Sequence, residues 1–172
     1  EEIRGEFPPV TEHTLPGWMT NVTDGRIANR LNLHGPNFTV DSACSSSIAS
    51  ALPAMYQLMY GNVDMMISGG LNRQLSDTFT SGVCALGAVA KRVARPFDKD
   101  GTGYLIGEGG VLFLFKLLKN ALRDGDEIFG VIHSIGGSSE ADSKSMVAPT
   151  KKAVSRAISN AFRNIDITPN EI

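Results

Sequence analysis

The spacing of apolar and polar positions changes several times along the chain. Between Phe38 and Asp41 the two kinds alternate, Phe38 and Val40 against Thr39 and Asp41, which is the period of a half-buried strand. From Ile48 the period lengthens. Ile48, Leu52, Met55 and Met59 recur at helical spacing and predict a helix, about four turns long, running to about Tyr60. A strand-to-helix turn therefore falls on residues 42–47, and all six are small: Ser42, Ala43, Cys44, Ser45, Ser46 and Ser47. Small residues let the backbone bend sharply and let another molecule come close to Cys44.

The rest of the pattern places this turn in a larger scheme. Residues 1–20 contain prolines and read as an irregular lead-in. A helix capped by Thr23 or Asp24 follows, with Ile27, Ala28 and Leu31 on its apolar face, until Gly35-Pro36 stops it. "VDMMISGG" reads as a short buried strand, and "LSDTFTSGV" as a short helix capped by Ser76 or Asp77. "VLFLFKLL", residues 111–118, is continuous apolar sequence of strand length that runs into a helix near "LLKNALRDGD". "EIFGVIHSIGG" predicts a further strand, and "TKKAVSRAISNAFRNI" a helix with Ala153, Ile158, Ala161 and Phe162 turned inward. Strands that are apolar on both faces and alternate with helices mark an α/β protein with a mostly parallel sheet covered on both sides. Such folds place their sites at turns beyond the carboxyl ends of strands, and Cys44 occupies one.

Composition narrows the choice of function. The chain of 172 residues has a net charge of −2 and no basic cluster, so it lacks an electrostatic footprint for nucleic acid. Its apolar runs are far shorter than the roughly 18 residues of a membrane span, and its first residues are acidic rather than signal-like, so a cytoplasmic setting is expected. Two cysteines, Cys44 and Cys84, do not make a disulfide framework, and three scattered histidines lack metal-ligand spacing. Glycine is more telling: its 18 copies exceed the usual share of about 7% and cluster beside apolar runs in "SGGLN", "DGTGYLIGEGG" and "SIGGSS". They mark tight turns and close backbone contacts.

Cys44 is the candidate for chemistry. The first turn of a helix leaves N–H groups unpaired and carries partial positive charge, which together favour a thiolate. The same N–H groups suit an oxyanion formed when sulfur attacks a carbonyl. A small buried cysteine filling a tight turn is the plainer alternative. No histidine is an obvious partner, because His13 lies in the lead-in, His34 in a turn and His133 within an apolar strand pattern; structural or solvent-facing roles suit all three. Asp41 is a candidate to orient a polar neighbour of the thiol, although an acid at a strand end more often serves as a turn or cap residue. Cys84, in "SGVCALGA", reads as a helix or core residue.

At these residues the chain resembles a known family. "TVDSACSSS" resembles the active-site signature of the β-ketoacyl synthases, the condensing enzymes of fatty acid and polyketide synthesis. "GRIANRLNLHGPNF" precedes it in the family's order, and "DMMISGGLN", "ALGA", "RPFDKDGTGYLIGEGG", "LKNALRDGD" and "SIGGSS…APT" follow, so the similarity extends over residues 17–172. Val111 stands where the family commonly has a second glycine in "GEGxG", and "AVAKRVARPFD" lacks the usual Ser-Pro turn.

The resemblance implies a thiolase-like fold, layered αβαβα and present in part, with residues from about 125 to 172 opening its second half. It implies that Cys44 is the nucleophile and takes an acyl group as a thioester, its backbone N–H contributing to the oxyanion hole. Decarboxylation of malonyl-carrier protein would then supply a carbanion for a Claisen condensation. No tightly bound cofactor is implied; substrates would ride on the phosphopantetheine of acyl carrier protein or on coenzyme A. Acyl carrier protein is the implied partner, together with a second copy of the chain paired through the short strand near 36–40. The family's two catalytic histidines match none of the three here, and the chain is expected to be an internal piece of a longer enzyme. A non-catalytic acyl-binding or chain-length scaffold is the alternative, against which retention of Cys44 counts.

Overall fold

The computed structural model describes residues 9–73, 75–141 and 148–172. The first eight residues of the expected lead-in therefore lie outside the described part. The chain divides into two compact units, Glu1–Phe115 and Lys116–Ile172.

In the first unit, the lead-in is less irregular than expected, because Thr14–Trp18 forms a short helix, α1. Helix α2 spans Asn21–Arg30, with Thr20 rather than Thr23 or Asp24 at its N-cap. Asp24 falls in its first turn, and its carboxylate accepts a hydrogen bond from the Thr39 hydroxyl. The helix ends before Gly35-Pro36: Leu31 is the C-cap, and Asn32 takes a left-handed φ of 53°, a conformation asparagine tolerates better than most residues.

Residues 36–41 form no strand, contrary to the alternating pattern. A strand needs a hydrogen-bonded neighbour, and no backbone hydrogen bond joins this segment to another among the described residues. After a short 3₁₀ turn at Ala43–Ser45, helix α3 spans Ser46–Met59. Its buried positions are Ala51, Ala54 and Leu58, whereas Ile48 and Met59 are 62% and 66% exposed. The four residues at helical spacing thus do not share one buried face: Leu52 and Met55 are half-buried, and the fully buried side chains are two alanines and Leu58. Pro53, inside the helix, has no N–H for the Ala49 carbonyl.

Strand β1, Met65–Asn72, pairs with β2, Gly109–Lys116. Gly69 faces Val111 and Leu112, and Gly70 faces the earlier Gly110, so the pair runs antiparallel rather than parallel. Asn72 Nδ2 donates to the Gly107 carbonyl at 2.6 Å, and the Leu75 N–H donates to Glu108 Oε1 at 3.1 Å, fixing the approach to β2. Val111 lies within β2, where its carbonyl oxygen would stand only 2.0 Å from a Cβ on Gly69; only glycine allows the backbones that close. Helix α4, Asp77–Ala85, is capped as expected by Ser76, whose hydroxyl accepts from the Phe79 N–H at 3.2 Å. Cys84 lies on this helix but is exposed, so it is not a core residue.

In the second unit, α5 spans Leu118–Asp124 and ends at Gly125, whose φ of 72° provides a left-handed C-cap. Residues 127–137 form no strand, and His133 is exposed. Instead Gly136 and Gly137 run against helix α6, Lys151–Phe162: a Cβ on Gly136 would meet the Ala157 carbonyl oxygen at 2.2 Å, and Asn160 Nδ2 donates to the Gly137 carbonyl at 2.8 Å. A segment laid across a helix in this way has its apolar residues on show without a sheet to join. Ala153 is buried and Ala161 and Phe162 are half-buried as expected, but Ile158 is exposed. No helix among the described residues is long and apolar enough to cross a membrane.

Candidate active site

Cys44 is exposed and sits in the 3₁₀ turn immediately before α3. Ala43, just ahead of it, has a φ of 48°. For a residue with a Cβ this left-handed conformation costs about 1–2 kcal/mol, so the turn must be held by its surroundings.

Short-range hydrogen bonds hold it. Asp41 Oδ1 accepts from the Ala43 N–H at 3.0 Å, which gives Asp41 the place of a turn residue, and no hydrogen bond joins it to the thiol among the described residues. The Ser45 hydroxyl donates to the Ser42 carbonyl at 2.8 Å, and the Ser42 and Ser45 hydroxyls lie 2.8 Å apart. The Ser46 hydroxyl donates to the Ala43 carbonyl at 2.7 Å and accepts from the Ser42 N–H at 2.9 Å. The Cys44 N–H makes no hydrogen bond among the described residues.

The turn is seated on β1 through α3. A Cβ on Gly70 would stand 2.8 Å from Ser47 Cβ, so glycine at 70 lets the head of the helix lie flush on the strand. One turn further on, the Ser50 hydroxyl donates to the Ser47 carbonyl at 2.9 Å and to the Gly69 carbonyl at 3.2 Å. It also accepts from the Ser68 hydroxyl at 2.9 Å, and Ser68, 8% exposed, is the one buried polar residue among those described. The sequence alone signalled "SGGLN" as a close-contact motif but not that its contact is the Cys44 helix. His13 lies beside Glu12 on the surface, with Nε2 3.6 Å from Oε1, and His34 is exposed. Neither is brought to Cys44 by any hydrogen bond of the turn.

The fold and this turn define an α/β protein of thiolase-like kind, present in part. Its backbone superimposes on the ketosynthase from module 6 of the bacillaene synthase of Bacillus subtilis 168 with a TM-score of 0.80 at 27% identity, covering 90% of this chain and 29% of that one. Residues 3–121 match the family model described as the β-ketoacyl synthase N-terminal domain, and the chain belongs to the β-ketoacyl synthase family.

The chain is 31% identical over 170 residues to a polyunsaturated fatty acid synthase of Thraustochytrium sp., covering 98% of this chain and 6% of that protein. It is 29% identical over 170 residues to the polyketide synthase GfsA of Streptomyces halstedii, covering 98% of this chain and 2% of that protein. The chain thus spans a small fraction of the length of the relatives it matches.

Proposed function

We propose that this chain is part of a ketosynthase domain in which Cys44 is the acyl-accepting nucleophile of a decarboxylative condensation. The observation that carries the reading is the exposed Cys44 on a strained turn, with its own N–H unpaired among the described residues, in a chain of the β-ketoacyl synthase family.

In the first step Cys44 Sγ attacks the carbonyl carbon of an acyl thioester on acyl carrier protein or coenzyme A. The π pair moves to oxygen, the Cys44 N–H donates to the oxyanion, and collapse expels the carrier thiolate, which takes up a proton. The acyl group is left on Cys44 as a thioester. In the second step a malonyl thioester on the carrier loses carbon dioxide, and the electron pair of the broken bond remains at C2. That carbanion attacks the acyl carbonyl, a carbon–carbon bond forms, and Cys44 leaves as thiolate. The product is a β-ketoacyl thioester on the carrier. On this reading acyl carrier protein is the partner, no resident cofactor is needed, and residues 36–40 pair with a second copy of the chain. The backbone of that segment has no hydrogen-bond partner among the described residues, which supports the last point.

Intact-mass analysis after incubation with an acyl-coenzyme A tests the first step. A single acyl adduct that disappears in Cys44→Ala is expected. A folded chain that takes no adduct, or that keeps it in Cys44→Ala, overturns the assignment and puts an acyl-binding scaffold in its place.

A further inference from the structure

The three serines after Cys44 have three different jobs. Ser45 closes the turn back onto Ser42, Ser47 packs on Gly70, and Ser46 acts on the peptide unit that joins Ala43 to Cys44. A trans peptide is planar, and its C=O and N–H point in opposite directions. At the 43–44 unit, the Ala43 carbonyl accepts from both the N–H and the hydroxyl of Ser46, while the Cys44 N–H on the opposite side is unpaired among the described residues. The Ser46 oxygen also accepts from the Ser42 N–H, so one hydroxyl clasps the backbone on both sides of the left-handed Ala43. Where the Ala43 carbonyl is held, the Cys44 N–H is aimed.

We propose, building on the reading of Cys44 as the acyl-accepting nucleophile, that Ser46 is a positioning residue whose hydroxyl fixes the 43–44 peptide plane and so points the Cys44 N–H at the oxygen of the attacked acyl group. Ser46 touches neither substrate nor sulfur in this role. It acts through the backbone donor, and its removal weakens acyl transfer because the donor is no longer held where negative charge develops.

Two reactions of the same sulfur separate this role from a general loss of structure. Acyl transfer passes through an oxyanion. Alkylation by iodoacetamide does not: sulfur attacks the methylene carbon, iodide leaves, and no oxyanion forms. Both rates are to be measured by intact mass in a Cys84→Ser background, for Ser46 itself and for Ser46→Ala and Ser46→Thr, with circular dichroism on each. In Ser46→Ala, acylation from an acyl-coenzyme A is expected to fall by about tenfold or more, with alkylation changed less than about twofold. Threonine keeps the hydroxyl and is expected to restore acylation to within about threefold. Acylation unchanged in Ser46→Ala, or acylation and alkylation falling together, overturns the proposal. A chain with Ser46 intact that is alkylated at Cys44 but never acylated overturns the nucleophile reading itself, and this inference with it. Should Ser46→Ala not fold, Ser46→Thr against Ser46→Val makes the same comparison of a hydroxyl with a methyl.

Discussion

Gly70 and Ser47 touch across the junction of β1 and α3 so closely that a methyl group on Gly70 would stand 2.8 Å from Ser47 Cβ. Neither atom is the free end of a flexible side chain, so the helix or the strand must move to admit one. Gly70→Ala is expected to destabilise the first unit by about 1–3 kcal/mol. Gly69→Ala, whose methyl would meet backbone atoms of β2, is expected to cost more. Gly82→Ala supplies the contrast: Gly82 lies in α4 with open space around it, and alanine there is expected to add about 0.5–1 kcal/mol. Urea unfolding of the three variants checks the order, and equal midpoints for Gly70→Ala and Gly82→Ala would show that the helix does not sit flush on the strand.

The Ser68 and Ser50 hydroxyls form a chain that ends on the Gly69 carbonyl. Ser50→Ala leaves the buried Ser68 hydroxyl without its acceptor, a loss of about 1–3 kcal/mol. Ser68→Ala removes a donor and leaves Ser50 its carbonyl partners, so it is expected to cost less. The double variant should cost less than the two single losses added together, and a double-mutant cycle from denaturant unfolding measures the difference. Additive losses would mean the two hydroxyls do not interact.

At the head of α6, the Thr150 hydroxyl accepts from the Ala153 N–H at 3.2 Å and donates to Glu140 Oε2 at 2.9 Å. Thr150→Ala removes both bonds, and a cost of about 1 kcal/mol is expected, with Thr150→Ser restoring most of it. Amide hydrogen exchange at Ala153 is the local readout: its protection should fall in Thr150→Ala while that of α5 is unchanged.

Arg123 first, and Lys116 next, hold the Asp124 carboxyl well below the ordinary carboxylate range by hydrogen bonding to its charged form. Lys116 in turn is raised by Asp124 and then Asp126, with Nζ 2.6 Å and 2.5 Å from them. A depressed carboxylate contributes stability that is present above its unfolded value and lost as pH falls through the folded one. A raised lysine contributes stability that is present below its unfolded value and lost as pH rises through the folded one. The contact should therefore be complete from about pH 5 to about pH 10 and weaken outside that window. Carbon-detected NMR titration of Asp124 checks this: its midpoint should lie below the ordinary range and move up in Lys116→Met. An ordinary midpoint in the unaltered chain would mean the cluster does not form in solution.

The turn that carries the candidate site was more legible in the sequence than the packing around it. Small residues at 42–47 and the change of period at Ile48 located the turn and the helix, because both are local signals. The Ser76 cap was legible for the same reason. Strands 38–41 and 127–137 were not realised, since alternation or an apolar run states only that a segment suits a sheet; the ladder needs a partner that no local pattern encodes. In α6 one expected inward position, Ile158, is exposed instead. Ile48 of α3 is exposed as well, whereas the smaller Ala51, Ala54 and Ala153 are buried, and Gly136 lies against the backbone of α6 at Ala157 and Ala161. Ser46 was visible as a serine among serines; its grip on the Ala43 carbonyl follows from the left-handed backbone, which composition does not reveal.

The seating of α3 on β1 also bears on the order in which this part of the chain can assemble. The Ser50–Ser68 bond closes a separation of 18 residues, whereas the Asn72–Gly107 bond beside the β1–β2 pair closes 35. Shorter loops cost less entropy to close and need less of the chain to have been synthesised. The helix that carries Cys44 can therefore dock on its strand while β2 is still inside the ribosome, and the shape of the turn does not wait for the sheet.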